Sequence, residues 1–438
     1  MKTRVSLLAL LFALSPSLAI SQSQPAPQPI TAVVVKAGKL LDVRKGAYIE
    51  GAAIWIEGDR IKEVGTLAEV QSHAPKNAQL IDLSHATVLP GLIDCHTHLM
   101  ARFADDMPND YILGLATKSQ AFRALEGAAD ARVTLLAGFT TVRDVENEGS
   151  GYADVALRDA IVQALVEGPR MEVATRGIAA VGQYNPFGVS PDLTDFPTGA
   201  QMVSGVEDAR RAVREQIGHG ADLIKVYADW SHPTLTVEEM RVIVEEAHKQ
   251  GLKVAAHATT REGIMNAVTA GVDSIEHGFG ADEQSLQMMK AKGVFLVPTV
   301  GVIDAEIEKN KSEKLTPEQE KHRDAFLNAI EQEVRQAMAL NVKIASGFDA
   351  STVYLQGRNA DQLVALAKRG MPPLEVIRTA TVNAAELMGW QDRVGTVEAG
   401  KYADLIAVEG DLLTDIAVLQ RVKFVMKGGT VVKDTLTR

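Results

Sequence analysis

The sequence predicts an α/β protein: a (β/α)8 barrel with a small β-sandwich built from both termini. Three observations carry that reading. Between residues 91 and 390, eight short β-rich segments alternate with helical patterns. Four of those segments end in a histidine or aspartate, and a fifth places a lysine in apolar company. Finally, the β-branched, Gly-punctuated texture of residues 31–90 returns at 391–438, so one sheet fed by both ends avoids leaving exposed edges.

At 438 residues the chain exceeds one small domain and fits a large barrel plus a smaller module. A 46% hydrophobic and 23% charged composition is that of a globular chain with ample core. The formal net charge of −11 argues against nucleic acid as a partner. Cys95 is the single cysteine, so no intramolecular disulfide forms. Its position in an alternating strand predicts a small buried residue rather than a ligand.

Residues 1–19 read as a signal peptide: Lys2 and Arg4 form a basic start, residues 5–14 an apolar run, and Ser17-Leu18-Ala19 a cleavage-type site. The run is too short for a permanent span, and no cysteine follows to carry a lipid. Residues 20–30, rich in Ser, Gln and Pro, read as a disordered leader. The expected mature protein is exported, to the periplasm or beyond, and free of the membrane.

The small β-domain is expected over 31–90 and 391–438, the barrel over 91–390. Strands are expected at 92–98, 140–145, 171–175, 223–228, 253–257, 274–277, 294–299 and 343–349. The clearest helix is 236–250, where Thr236 and Glu239 make a capping-box pair and Val237, Met240, Ile243, Val244 and Ala247 share one face. A second helix opens at Thr316-Pro317. Residues 179–198 read as a long loop able to shape specificity. A doubly wound sheet is the structural alternative, but no Gly-rich phosphate turn follows any strand.

The chain is organised around Leu89-Pro-Gly-Leu-Ile-Asp-Cys-His-Thr-His-Leu99. In a strand, i and i+2 share a face, so His96 and His98 aim two imidazoles at one point, half of a metal site. Active sites of such barrels lie at the C-terminal strand ends. There the sequence supplies Lys225 among Leu223, Ile224 and Val226, then His257, His277 and Asp349. Taken singly, Lys225 could be a surface lysine, either histidine a core residue, and Asp349 a helix cap; together they read as one site. Tyr227 shares a face with Lys225 and is a candidate to polarise a carbonyl or hold a substrate carboxylate, or else packs in the barrel. His232 and Trp230 follow in a loop as candidate substrate contacts. Arg143 ends the second strand, where it could attract a carboxylate or pair with neighbouring strand mouths. His73, His85, His219, His248 and His322 read as surface.

The pattern Gly91-Leu-Ile-Asp-Cys-His-Thr-His98, Lys225, His257, Ser274-Ile-Glu-His-Gly278 and Gly347-Phe-Asp349 resembles the amidohydrolase superfamily. The closing Gly395-Thr-Val-Glu-Ala-Gly-Lys-Tyr-Ala-Asp-Leu-Ile406 is similar to the segment that returns those chains to their β-domain, and Ala247-His-Lys-Gln-Gly-Leu-Lys-Val-Ala-Ala-His257 resembles the prolidase-like, imidazolonepropionase-related branch. Phe348 departs from the Thr that many relatives carry, which could narrow the pocket mouth. The resemblance implies two divalent metal ions, usually zinc (manganese, cobalt or iron would also suit the donors), bridged by an N6-carboxylated Lys225. His96, His98 and Asp349 would hold one ion, and His257 and His277 the other. It implies attack by a metal-bridging hydroxide on an amide to a C-terminal amino acid, in a dipeptide, an N-acyl amino acid or an ochratoxin-like conjugate, with Asp349 moving the proton. It also implies a small-molecule substrate and a homo-oligomer. The alternatives are a cyclic amide or lactone hydrolase, a ring deaminase, or a non-catalytic assembly protein.

Overall fold

The structure is a computed structural model that describes residues 32–436, apart from 105–109, 183–191, 193–195, 231 and 313. The expected signal peptide and leader lie outside the described residues. Seven of the eight expected barrel strands are present: Leu92–Thr97, Phe139–Asp144, Arg170–Val173, Leu223–Tyr227, Lys253–Ala258, Ser274–His277 and Phe295–Val297. Their ladders are parallel and fall into two sheets, one of six strands and one of three. Nearly every residue of these strands is buried, as expected for parallel strands covered on both faces.

Two expectations are corrected. The segment 343–349 is not a regular strand; it makes one isolated bridge, Ile344 to Leu296. It still lies between two strands. The Leu296 amide donates to the Lys343 carbonyl (2.8 Å), while on the other side the Cys95 amide donates to Ser346 (2.7 Å) and the Asp349 amide to His96 (2.9 Å). Regular pleating fails because Gly347 passes so close that a Cβ there would stand 2.6 Å from His96 Cβ, and Asp349 takes φ 66°. Second, the expected loop at 179–198 is flanked by two further strands, Gly177–Ala180 and Ala200–Val203, paired in parallel. Their small residues carry no alternating apolar signal.

Both ends of the chain meet in one eight-stranded mixed sheet, in the order Thr430–Asp434, Phe424–Lys427, Leu405–Val408, Gln79–Pro90, Ala32–Asp42, Ala52–Glu57, Arg60–Thr66, with Ala47–Glu50 on the side of Ala32–Asp42. Gln79–Pro90 continues through Gly91 alone into Leu92–Thr97. A Cβ on Gly91 would meet Thr140 Oγ1 at 2.1 Å, so this passage requires glycine. The mixed sheet is thereby coupled rigidly to the strand that carries His96.

The helix Val237–Lys249 forms as its pattern predicts. Thr236 accepts from the Glu239 amide (3.1 Å), Glu239 accepts from the Thr236 amide (2.8 Å), and Met240, Ile243, Val244 and Ala247 are buried. Thr236→Ala is expected to lower unfolding free energy by about 1 kcal/mol, read by urea denaturation. The helix Pro317–Leu340 opens with the expected N1 proline. Its first half, 317–329, is exposed throughout except for half-buried Leu327, whereas Ile330, Val334 and Ala337 pack into the core.

Candidate metal centre

His96 is the penultimate residue of the strand Leu92–Thr97, and His98 is the first residue beyond it. Their Nε2 atoms are 3.3 Å apart. Asp349 Oδ1 stands 3.6 Å from His96 Nε2 and 3.3 Å from His98 Nε2. His277, the last residue of its strand, brings Nδ1 to 3.8 Å from Asp349 Oδ2. Ligand atoms of His96, His277 and Asp349 all lie within 4.8 Å of one another. His257 stacks edge-on with His277 at 4.6 Å between ring centroids, and its Nε2 points to Asp229, 4.0 Å away. The tightest convergence is that of His96, His98 and Asp349, and His277 also comes within reach of His96 and Asp349, across the two sets that the family resemblance implies.

Three of the imidazoles have a polar partner at Nδ1. His96 Nδ1 meets Glu276 Oε2 at 2.7 Å, and His277 Nδ1 meets Thr299 Oγ1 at 2.8 Å. His98 Nδ1 is 2.9 Å from Glu148 Oε1, though bent away from hydrogen-bond alignment. Carboxylates behind His96 and His98 favour protons on Nδ1 and lone pairs on Nε2. Two lone pairs and a carboxylate oxygen then face one another at 3.3–3.6 Å. That convergence is repulsive unless a proton or a cation sits among them, and the donor set fits a divalent metal.

The electrostatics distinguish the two rings. Burial, aided by Lys225, drives His96 well below its ordinary value and so favours a neutral ring. His98 is raised well above it despite burial, by Glu148 and Asp349. Asp349 is held far down the carboxylate range, against burial, by His96 and His98. Lys225 is 1% exposed and makes no ion pair among the described residues; burial lowers its pKa. Three of the non-glycine residues with positive φ are here: Glu148 (53°), His277 (70°) and Asp349 (66°). Such backbone persists where the surroundings over-determine it, typically at functional sites.

The remaining candidates separate. Tyr227 is buried and its hydroxyl donates to Glu146, with its ring 5.3 Å from His257. Trp230, partly exposed, stacks 4.9 Å from the His257 ring. His232 is exposed in the same loop. Arg143 does not present a free guanidinium: it is 1% exposed and donates to Cys95 O (2.7 Å), Ser274 Oγ (3.1 Å) and Glu276 Oε1 (2.7 Å). The carboxylate it binds is the protein's own. Phe348 does not narrow a mouth; it is buried with Ala305, Ala350 and Leu355. Cys95 is buried, and the five histidines expected at the surface are exposed.

Sequence reasoning missed Glu148, Thr299 and Glu146, and quoted Glu276 only as part of a motif. Alternation places Glu276 and His277 on opposite faces, but the positive φ at His277 turns its ring back towards Glu276's side. The even spacing of Ser274 and Glu276 was the available signal for an inward polar pair.

Imidazoles and a carboxylate gathered at the ends of parallel strands define a candidate metal-dependent hydrolase centre. The chain belongs to the amidohydrolase family, whose sequence profile matches residues 87–432. An ochratoxinase of Aspergillus niger is 34% identical, covering 91% of this chain and 86% of that protein; an imidazolonepropionase of Brevibacillus brevis is 25% identical, covering 88% and 91%. Among solved structures, a Xaa-Pro dipeptidase with bound methionine in its active site superposes with a TM-score of 0.81 at 33% identity, over 92% of this chain and all of that one. The A. niger ochratoxinase structure gives 0.79 at 31% identity, over 93% and 96%. The chain is therefore a hydrolytic enzyme acting on C–N bonds, with a TIM-barrel-type fold.

Proposed function

We propose that this amidohydrolase holds two divalent cations and hydrolyses the amide joining an acyl group to a C-terminal amino acid. The observation that carries the reading is the convergence of His96 Nε2, His98 Nε2 and Asp349 Oδ1, the two rings backed by acidic partners. His96, His98 and Asp349 would hold one cation and His257 and His277 the second, with Lys225 between them. When bound, such cations supply Lewis acidity and a water of lowered pKa.

The chain's own residues do the rest. Lys225, stripped of solvent, favours the neutral amine, the form that can take up carbon dioxide with loss of a proton. Asp349 stays ionised at neutral pH, so its Oδ2 can accept a proton during attack and return it to the departing nitrogen. Tyr227 already donates its one phenolic proton to Glu146, so a substrate oxygen must compete with that carboxylate for it. The choice of a C-terminal amino acid as leaving group rests on the likeness to a Xaa-Pro dipeptidase, to a prolidase bound to N-methylphosphonate-L-proline (TM-score 0.78, 31% identity) and to ochratoxinase.

The test is metal content of the purified protein together with amine release from dipeptides and N-acyl amino acids. About two ions per chain, as in two-metal sites, with free amino acid released, is the expected result. Metal without amine release would move the substrate to cyclic amides or lactones. A protein that holds less than one ion after metal-replete growth would overturn the reading.

A further inference from the structure

Beside the candidate centre the chain builds an apolar groove that the proposed chemistry does not use. The helix Val300–Lys309 begins directly after Thr299, the residue that holds His277. The helix Pro317–Leu340 returns alongside it, with its first half outside the core. Between them lies a cavity of about 420 Å³, lined by Val302, Ile303, Ile307, Leu315, Phe326 and Leu327 among others. That is the size of a small-molecule site. Phe326 is 44% exposed, an unusual position for a large aromatic ring.

The groove is joined to the metal ligands by rings. Phe326 meets Phe279 edge-to-face, with centroids 5.5 Å apart at 86°. Phe279 in turn lies 5.5 Å from the His277 ring. A chain of ring contacts therefore links a candidate metal ligand to the groove. The cations at the groove's edge are already paired, Lys311 with Glu308 and Arg323 with Asp324 (2.8 Å). Nothing there calls for a carboxylate, so the charged amino acid of a substrate gains nothing from this side. A neutral apolar group gains the burial of its surface.

Resting on the amide reading above, we propose that this groove is the acyl subsite. It would take an extended aliphatic or aryl acyl group of the substrate, with Phe279 and Phe326 as specificity-determining residues. The enzyme would then favour long-chain or aromatic N-acyl amino acids over acetylated ones.

The experiment uses the metal-loaded protein and a series of N-acyl-L-phenylalanines from acetyl to decanoyl, in wild type, Phe326→Ala and Phe326→Leu. Each methylene that enters the groove should raise kcat/KM about three- to fourfold. Phe326→Ala should flatten that slope, and Phe326→Leu should restore part of it. The position is half-exposed, so the fold is expected to tolerate both variants. Calorimetric titration of the corresponding free acids, acetate to decanoate, gives a readout without turnover. If wild type hydrolyses none of the amides, the amide reading fails, and the slope of acid affinity still decides the groove. A flat series in wild type, or an unchanged slope in Phe326→Ala, overturns the proposal.

Discussion

Asp349→Asn should lower kcat/KM by about 10²–10⁴-fold, the range for loss of a positioned proton-transfer group, with the fold intact. Asparagine is the right probe for two reasons. It preserves volume, and it tolerates the left-handed backbone of φ 66° at this position, where alanine would add strain. The same change also weakens the cation site, because Oδ1 faces both His96 and His98. Steady-state kinetics must therefore be paired with metal analysis of the same preparation. A variant that keeps its metal and loses turnover identifies proton transfer as the lost function. A variant that loses both identifies Asp349 chiefly as a ligand. Unchanged turnover at full metal occupancy would end the proposed mechanism.

The parts of the site legible in the sequence share one property: they follow from strand periodicity. His96 and His98 are two apart, Lys225 and Tyr227 are two apart, His257 closes an apolar run, and His277 ends the short strand that opens at Ser274. What periodicity cannot convey is backbone that leaves the strand. Glu148 reaches His98 from a turn at φ 53°, and His277 is swung by its own positive φ. Both are invisible to alternation because alternation presumes extended backbone. The segment 343–349 is expected as a strand, yet the close passage of Gly347 over His96 breaks the ladder. Conversely, Gly177–Ala180 and Ala200–Val203 pair as strands although their residues carry little β-propensity, since neighbouring ladders supply the order. Arg143 is legible as a strand-end cation; that its partner is internal depends on Glu276, 133 residues away in sequence but in contact across the interior.

That contact sets the second large effect. Arg143 and Glu276 are both essentially fully buried, and Glu276 divides its carboxylate between Arg143 at Oε1 and His96 at Oε2. Removing one member of a buried pair strands the other without compensation, so Arg143→Leu should cost about 3–5 kcal/mol of unfolding free energy. Urea denaturation of the metal-loaded protein reads this directly, and a midpoint equal to wild type would show that the pair carries no such strain. The double variant Arg143→Leu/Glu276→Leu separates stability from function. With both charges gone no buried charge is left unpaired, and part of the lost stability should return, less than all of it because leucine is shorter than arginine and the Cys95 carbonyl has lost its donor. His96, however, then has no acceptor for its Nδ1 proton, and its tautomer and ring orientation are no longer fixed. Metal affinity in the double variant should consequently fall about 10–100-fold, the usual consequence of losing an outer partner of a ligating histidine. Recovery of stability without recovery of affinity would locate Glu276's importance at His96. Recovery of both would mean that the carboxylate serves only to neutralise Arg143, and that His96 is oriented by packing alone.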